Sequence, residues 1–371
     1  MGEKITNEDL GYDDFFESNR KKLKLDGFSV ARVTGEYKGS YKVKNASGEY
    51  LAKVTGKQRF NALSREDYPA VGDWVAVTLL NAEQAVIQGI LPRKTLIKRV
   101  HGDKSRNGRK NEVQVIASNI DTAFIVESLD RDFNLNRFER YFVIAKEAGV
   151  KPVIVLNKTD LVSEEELDSK LAEIKNRFKE TEIIKTSALK NDGVEELRKY
   201  MEKGKTCCFL GSSGAGKSSL INKLLGENII KTKEIGSRSF RGKHTTTGRE
   251  MYFLENDPDS LSAIGGIVID NPGIREVGIA DAGEGLDNFF DEITALGEKC
   301  KFADCSHESE PGCEVLSALN SGKLHAKKYS NYISLKKESE YNEMTEWEKR
   351  EKDRRFGKFI KTYKKQFRKE K

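Results

Sequence analysis

Between residues 26 and 115 the chain runs through short stretches that alternate apolar and polar side chains. Phe28, Val30 and Val33 begin one, Tyr41 and Val43 mark a second, and Leu51 and Val54 a third. Val75, Val77 and Leu79 follow a Val-Gly-Asp-Trp turn, and Val86, Ile87 and Ile90 make a fifth. Alternation of this kind buries one face of a strand and leaves the other wet. Five short strands with turn signals at this spacing predict a small β-barrel of the OB-fold type over 26–115. Residues 1–25 are highly charged and read as a loosely attached N-terminal arm.

From about residue 120 the rhythm changes to short apolar runs separated by helical patterns. Strands are predicted at 122–126, 152–156, 182–185, 206–210, 250–254 and 265–270. Phe138, Tyr141, Ala145 and Ala148 repeat at helical spacing, and Ser163 with Glu166 has the form of a capping box opening another helix. Apolar strands alternating with amphipathic helices predict a parallel sheet covered on both faces, an α/β domain spanning 116–280. Cys207 and Cys208 fall inside one strand and are expected as buried core thiols. Past residue 280 the patterns are helical, so 281–371 is expected as an α-rich domain.

The predicted strand at 206–210 runs into Gly211-Ser212-Ser213-Gly214-Ala215-Gly216-Lys217-Ser218-Ser219, and a helical stretch follows. This is a phosphate loop. Glycines let backbone N–H groups curl around phosphates, the helix N-terminus adds its dipole, Lys217 reaches the β- and γ-phosphates, and Ser218 ligates Mg²⁺. At the end of another strand stand Asn157, Lys158, Thr159 and Asp160. A carboxylate at Asp160 can accept from both N1–H and N2–H₂ of guanine, a pair adenine does not offer, so GTP is expected over ATP. Thr186-Ser187-Ala188 closes the next strand, where a backbone N–H can meet guanine O6.

Asp270-Asn271-Pro272-Gly273 ends the last apolar strand; Asp270 suits the Mg²⁺ shell and the Gly273 N–H the γ-phosphate. His244, Thr245, Thr246 and Thr247 form a candidate first switch, with Thr245 or Thr246 expected to close the Mg²⁺ shell. Many GTPases place a water-orienting glutamine after Asp-x-x-Gly. Here that position is Ile274, so slow intrinsic hydrolysis is expected, with His244 or a group from a partner as the replacement. The guanine motif thus precedes the phosphate loop, the reverse of the usual order. Loops at the carboxyl edge of a parallel sheet converge whatever the chain order, so binding chemistry survives the permutation. The second switch then leads straight into the C-terminal region, and switch ordering is expected to reposition it.

Cys300, Cys305, His307 and Cys313 offer three thiolates and an imidazole, a set suited to one closed structural Zn²⁺. Five cysteines in 371 residues make no disulfide scaffold. The last 24 residues hold 12 Lys/Arg against 4 Asp/Glu, a net +8 in a chain of net +6, so the remainder is slightly acidic. A concentrated basic tail suits a polyanion partner, and the basic loop His101–Lys110 suits a nucleic-acid contact. No run reaches the roughly 18 apolar residues of a membrane span and the N-terminus lacks an apolar signal core, so a cytoplasmic protein is expected.

NKTD before GSSGAGKS, followed by GKHTTT, DNPG and C-x₄-C-x-H-x₅-C, resembles the ribosome small-subunit-dependent GTPase family, RsgA or YjeQ, over nearly the whole chain. The resemblance implies an N-terminal OB-fold, a circularly permuted GTPase domain and a zinc-containing C-terminal domain. It further implies a monomeric assembly factor that binds GTP and GDP, engages small-subunit rRNA late in maturation and is stimulated by that subunit. By the same resemblance His244 matches the histidine implicated in hydrolysis. Asn271 departs from the threonine usual in the family, while Asp270 and Gly273 are kept. The competing expectations are an RNA-binding module holding GTP as a static ligand, and a GTPase of the large subunit or of tRNA modification.

Overall fold

The computed structural model describes residues 5–37, 39–102, 111–130, 133–226, 229–230, 249–254, 265–270 and 283–367. Two compact units divide the chain: Met1–Arg99 with Gln114–Val277, and Val100–Val113 with Gly278–Lys371.

In the first unit, helix α1 (Asp14–Lys22) starts at Asp13, whose carboxylate accepts from the Phe15 amide at 3.1 Å. The expectation of a loose arm is corrected here. Leu10 and Phe16 are fully buried with Trp74 and Leu91, and Tyr12 meets the Trp74 ring edge-on at 4.8 Å. Most of the charges that dominate the composition stay exposed or half-buried, Asp9 being the buried exception, and the few apolar anchors decide the packing.

Strands β1 (Ser29–Tyr37), β2 (Ser40–Asn45) and β3 (Gly48–Val54), the short helix α2 (Gly56–Asn61), and strands β4 (Trp74–Leu79) and β5 (Gln84–Ile90) form the barrel. It closes in the order β1-β2-β3-β5-β4 and back to β1, with β3 and β5 parallel and the other pairs antiparallel. This is the OB-fold order. Ala31, Val33, Val43, Ala52, Val75, Val77 and Ile87 fill the interior. Gly72, before β4, has φ +99°, and a Cβ there would sit 2.1 Å from the Ser118 carbonyl oxygen, so the turn requires glycine. A ribbon not anticipated from the sequence follows: β6 (Leu96–Gly102) pairs with β7 (Asn111–Ser118), and Arg99 Nη2 donates to Gln114 Oε1 at 2.7 Å. Residues 103–110 of the basic loop between them lie outside the described residues.

The α/β layer comprises β8 (Thr122–Ser128), α3 (Leu135–Glu147), β9 (Lys151–Asn157), α4 (Glu164–Arg177), β10 (Ile183–Lys185), α5 (Val194–Arg198), β11 (Thr206–Gly211), α6 (Lys217–Leu225), β12 (Glu250–Phe253) and β13 (Ile267–Asp270). Its order is β10-β9-β8-β11-β13-β12, parallel except for β12, and Gly35 of β1 pairs with Glu250 of β12 so that barrel and layer share one sheet. Every residue of β8 is buried, as a parallel strand covered on both faces must be. Phe124, Val126, Phe209, Leu220 and Ile221 pack one face, with Cys207 among them. At α4 the Ser163 hydroxyl accepts from the Glu166 amide at 3.3 Å, but the Glu166 carboxylate turns to Lys170 at 2.9 Å, giving half of the anticipated capping box.

The second unit holds α7 (Gly283–Phe289), α8 (Asp291–Gly297), α9 (Glu314–Asn320), α10 (Ala326–Glu343) and α11 (Glu346–Phe367). Phe290 is fully buried and meets Tyr332 at 5.3 Å, with Ile293, Val315 and Leu335 also buried. The basic tail is helical in α11 as far as Phe367. Among the described residues no helix is long and apolar enough to cross a membrane.

Candidate functional site

The phosphate-loop sequence joins β11 to α6. Gly216 caps the helix with φ +94°, and a Cβ there would lie 2.1 Å from Asn157 Nδ2, so a side chain would drive the two loops apart. Ala215 is buried, Ser212, Ser218 and Ser219 are partly exposed, and Ser213 and Gly214 are exposed. Lys217 folds back over the loop and donates to the carbonyl oxygens of Gly211 at 2.8 Å and Ser212 at 2.7 Å. Burial brings its pKa down from 10.5 to about 8, with the charges of Asp270 and Glu127 opposing the fall.

Asn157 ends β9 and is fully buried. Its Nδ2 donates to the Ala215 carbonyl at 2.8 Å, and its Oδ1 accepts from the Thr186 hydroxyl at 3.1 Å and the Ala188 amide at 3.3 Å. One side chain therefore ties together the NKTD, TSA and phosphate-loop segments. Lys158, in the left-handed region at φ +63°, pairs with Asp130 at 2.9 Å. Asp160 accepts from the Ser187 hydroxyl at 2.5 Å, and that hydroxyl accepts in turn from the Lys190 amide at 3.1 Å. Thr159 is held to the Thr186 carbonyl through its amide and its hydroxyl, both at 3.2 Å.

The sheet explains the convergence. β8 alone separates β9 from β11, with Ser128 in register with Asn157 and Val126 with Gly211. β13 lies on the other side of β11 and brings Asp270 to the same carboxyl edge. His244, Thr245, Thr246, Gly273 and Ile274 lie outside the described residues. Two acidic neighbours escaped the sequence reading: Asp130, which holds Lys158, and Glu127, buried at the end of β8 and paired with Arg137 at 3.4 Å. Both stand at the carboxyl end of β8, the one parallel strand of the layer that carries none of the nucleotide motifs, and following every strand to that end finds them.

In the second unit Cys300, Cys305, His307 and Cys313 bring their ligand atoms within 4.8 Å of one another. Cys300 and Cys313 Sγ are 3.9 Å apart, and each is 3.6 Å from His307 Nδ1. Tetrahedral zinc with its usual bond lengths sets ligand separations of ~3.8 Å for S···S and ~3.5 Å for S···N, so the cluster has the dimensions of a site that could hold such an ion. The Tyr329 hydroxyl donates to the His307 carbonyl at 2.7 Å, fixing the loop that carries the imidazole.

A parallel sheet whose guanine-side loops precede the phosphate loop in the chain, yet meet it at one edge, defines a circularly permuted GTPase. The sequence model of the family described as RsgA GTPase matches residues 90–280, and the chain belongs to that family, whose members are GTP hydrolases. The small ribosomal subunit biogenesis GTPase RsgA 1 of Bacteroides thetaiotaomicron is 36% identical over 357 residues, covering 96% of each chain. RsgA 2 of Lactiplantibacillus plantarum is 41% identical over 318 residues, covering 86% of this chain and 85% of the relative. The crystal structure of YjeQ from Thermotoga maritima aligns with a TM-score of 0.58 at 27% identity, over 82% of this chain and 96% of that one. YloQ, described as a circularly permuted GTPase, aligns with a TM-score of 0.58 at 20% identity over 86% and 97%, a likeness of fold.

Proposed function

We propose that the chain hydrolyses GTP in the crevice at the carboxyl edge of the sheet and acts in late maturation of the small ribosomal subunit, which stimulates the reaction. The names of its relatives support the subunit, and the convergence of three motif segments on Asn157 supports the crevice. In this reading Asn157, Lys158, Asp160, Ser187 and Ala188 bind guanine, with the Asp160 carboxylate accepting from its N1–H and N2–H₂. Gly211–Ser219 and Gly273 hold the phosphates, and Lys217 exchanges its two loop carbonyls for β- and γ-phosphate oxygens.

Ser218, Asp270 and one of Thr245 and Thr246 would hold Mg²⁺, which neutralises charge on the triphosphate. His244, or a group supplied by the subunit, orients the attacking water, Ile274 being unable to. The cysteine–histidine cluster holds one structural Zn²⁺. Function divides at 26–115 for the barrel, 116–280 for the GTPase and 281–371 for the zinc-binding helical region with its basic tail. The protein works as a monomer in the cytoplasm.

The deciding experiment is multiple-turnover phosphate release with purified small or large ribosomal subunits, on the wild type and on Lys217→Ala and His244→Ala. Strong stimulation by small subunits alone, lost in both variants, is expected. No stimulation would leave GTP a static ligand of an RNA-binding module, and stimulation by large subunits would reassign the particle.

A further inference from the structure

The connection from Thr55 to Asp67, which carries α2 between β3 and β4, holds two large apolar side chains almost wholly in solvent: Phe60 is 90% exposed and Leu63 97%. The segment is not slack. Thr55 caps α2 by accepting from the Gln58 amide at 3.1 Å. Asp67 accepts from the Leu63 and Ser64 amides at 2.9 and 2.8 Å, and Arg93 binds the Glu66 and Tyr68 carbonyls, each at 2.9 Å. Its two carboxylates are already engaged, the exposed Asp67 in that cap and the half-buried Glu66 with Lys98 at 3.0 Å. Its cations are outward: Lys57, Arg59 and Arg65 are exposed, and Arg59 lies beside the β1–β2 turn, where a Cβ on Gly39 would touch Nη2 at 3.6 Å.

Single exposed apolar residues are ordinary. A braced segment that presents an aromatic ring and a leucine three residues apart, with three exposed cations around them and both acids already hydrogen-bonded or ion-paired, has a narrower use. Base faces stack on aromatic rings, aliphatic side chains pack beside the unstacked step, and the neighbouring cations meet phosphates. Six helical residues are too few for an amphipathic helix to lie in a bilayer surface.

We infer that Thr55–Asp67 is an RNA wedge, in which Phe60 stacks on an unpaired base, Leu63 packs against the same step, and Lys57, Arg59 and Arg65 contact the flanking phosphates. The wedge rests on the reading above only in taking small-subunit rRNA as the RNA. The test uses the full-length protein with a photoreactive phenylalanine analogue at position 60, irradiated with small subunits, large subunits or transfer RNA. Phe60→Ser/Leu63→Ser and Phe60→Trp are assayed beside it for binding and for GTPase activity.

Cross-links to small-subunit rRNA are expected, with binding about tenfold or more weaker in the double variant, near wild type in Phe60→Trp, and basal GTP hydrolysis unchanged in both. Undiminished binding by the double variant, or cross-links confined to ribosomal protein, overturns the wedge even where small subunits stimulate the GTPase. Cross-links to RNA of the large subunit or to transfer RNA alone keep the wedge and remove the small-subunit reading. A melting temperature equal to the wild type's, expected because both side chains are exposed, shows that a loss of binding is not a loss of fold.

Discussion

The side chain of Asn157 donates to the carbonyl oxygen of Ala215 at 2.8 Å, across 58 positions of chain. A hydrogen bond buried this deeply is costly to leave half made, about 1–3 kcal/mol per orphaned group. Asn157→Ala removes the side-chain partner of the Ala215 carbonyl and the Ala188 amide together and leaves the Thr186 hydroxyl only the Leu156 carbonyl at 3.4 Å. GTP and GDP affinity should both fall by roughly 5- to 150-fold, since the guanine and phosphate loops lose their common strut. Titration with fluorescent GDP reads this directly, and an unchanged dissociation constant would show that the loops hold position without it.

Specificity should reside one turn further on. Asp160, steadied by the Ser187 hydroxyl at 2.5 Å, is expected to accept from guanine N1–H and N2–H₂. Asp160→Asn replaces one acceptor by a donor. GTP affinity should fall about 10²-fold or more, while xanthosine triphosphate, which carries a carbonyl in place of the amine, should bind the variant better than GTP. Competition between the two nucleotides on one sample separates a change of specificity from general damage, because damage would weaken both.

The sheet was legible in the sequence because its strands are buried on both faces and so read as continuous apolar runs: Thr122–Ser128 and Thr206–Gly211 stand where the runs do. The barrel was legible through the alternation that puts Val33, Val43 and Val77 inside. The anchoring of the N-terminus was not, since Leu10 and Phe16 are two residues among many charges, and only a distant partner, Trp74, gives them their role. The Lys158–Asp130 pair escaped for the same reason: 28 positions separate its members, and only the adjacency of β8 and β9 joins them. Composition reports what a segment carries; contact at long range decides which of it matters.

Lys217 makes nucleotide binding pH-dependent. Its pKa of about 8 lies below the ordinary 10.5 because burial disfavours the ammonium, so the free protein holds it increasingly neutral as the pH rises past 8. A phosphate partner favours the charged form. Binding should therefore take up a proton between about 8 and 10.5, and affinity should decline with pH over that window. The stability sign follows: the unfolded chain binds more protons there, so this residue's contribution to stability rises with pH through the same range. Calorimetry of GTP binding at pH 8.5 in buffers of different ionisation enthalpy should show net uptake, absent at pH 7 and absent in Lys217→Arg.

Arg32 should prove costly to lose although it lies far from the crevice. It is fully buried, its guanidinium donates to the carbonyls of Leu10 at 2.5 Å, Gly72 at 3.3 Å and Asn119 at 3.1 Å, and its charge faces the Trp74 ring at 6.0 Å. N-terminal turn, barrel and α/β layer meet at this one group. Arg32→Met orphans the Leu10 and Asn119 carbonyls, while Gly72 keeps the Asn119 Nδ2 donor at 3.0 Å, and should cost about 2 kcal/mol or more. Urea denaturation measures it, and a loss below about 1 kcal/mol would mean that water takes the guanidinium's place.

The cysteine–histidine cluster yields the last prediction. Its two Sγ–Nδ1 separations of 3.6 Å and the Sγ–Sγ separation of 3.9 Å match tetrahedral zinc, and four protein ligands leave no place for substrate or water. The metal's contribution should then be to folding. It should be confined to the helical unit, where Cys313 also caps α9 by accepting from the Leu316 amide at 3.4 Å and so couples ligand position to helix start. Purified protein should carry one zinc per chain by elemental analysis. Cys305→Ser should lower that content sharply and expose the helical unit to protease, while GTP binding in the other unit persists. Loss of GTP binding together with the zinc would show instead that the two units fold as one, and full protease resistance without the metal would show that the cluster stands on packing alone.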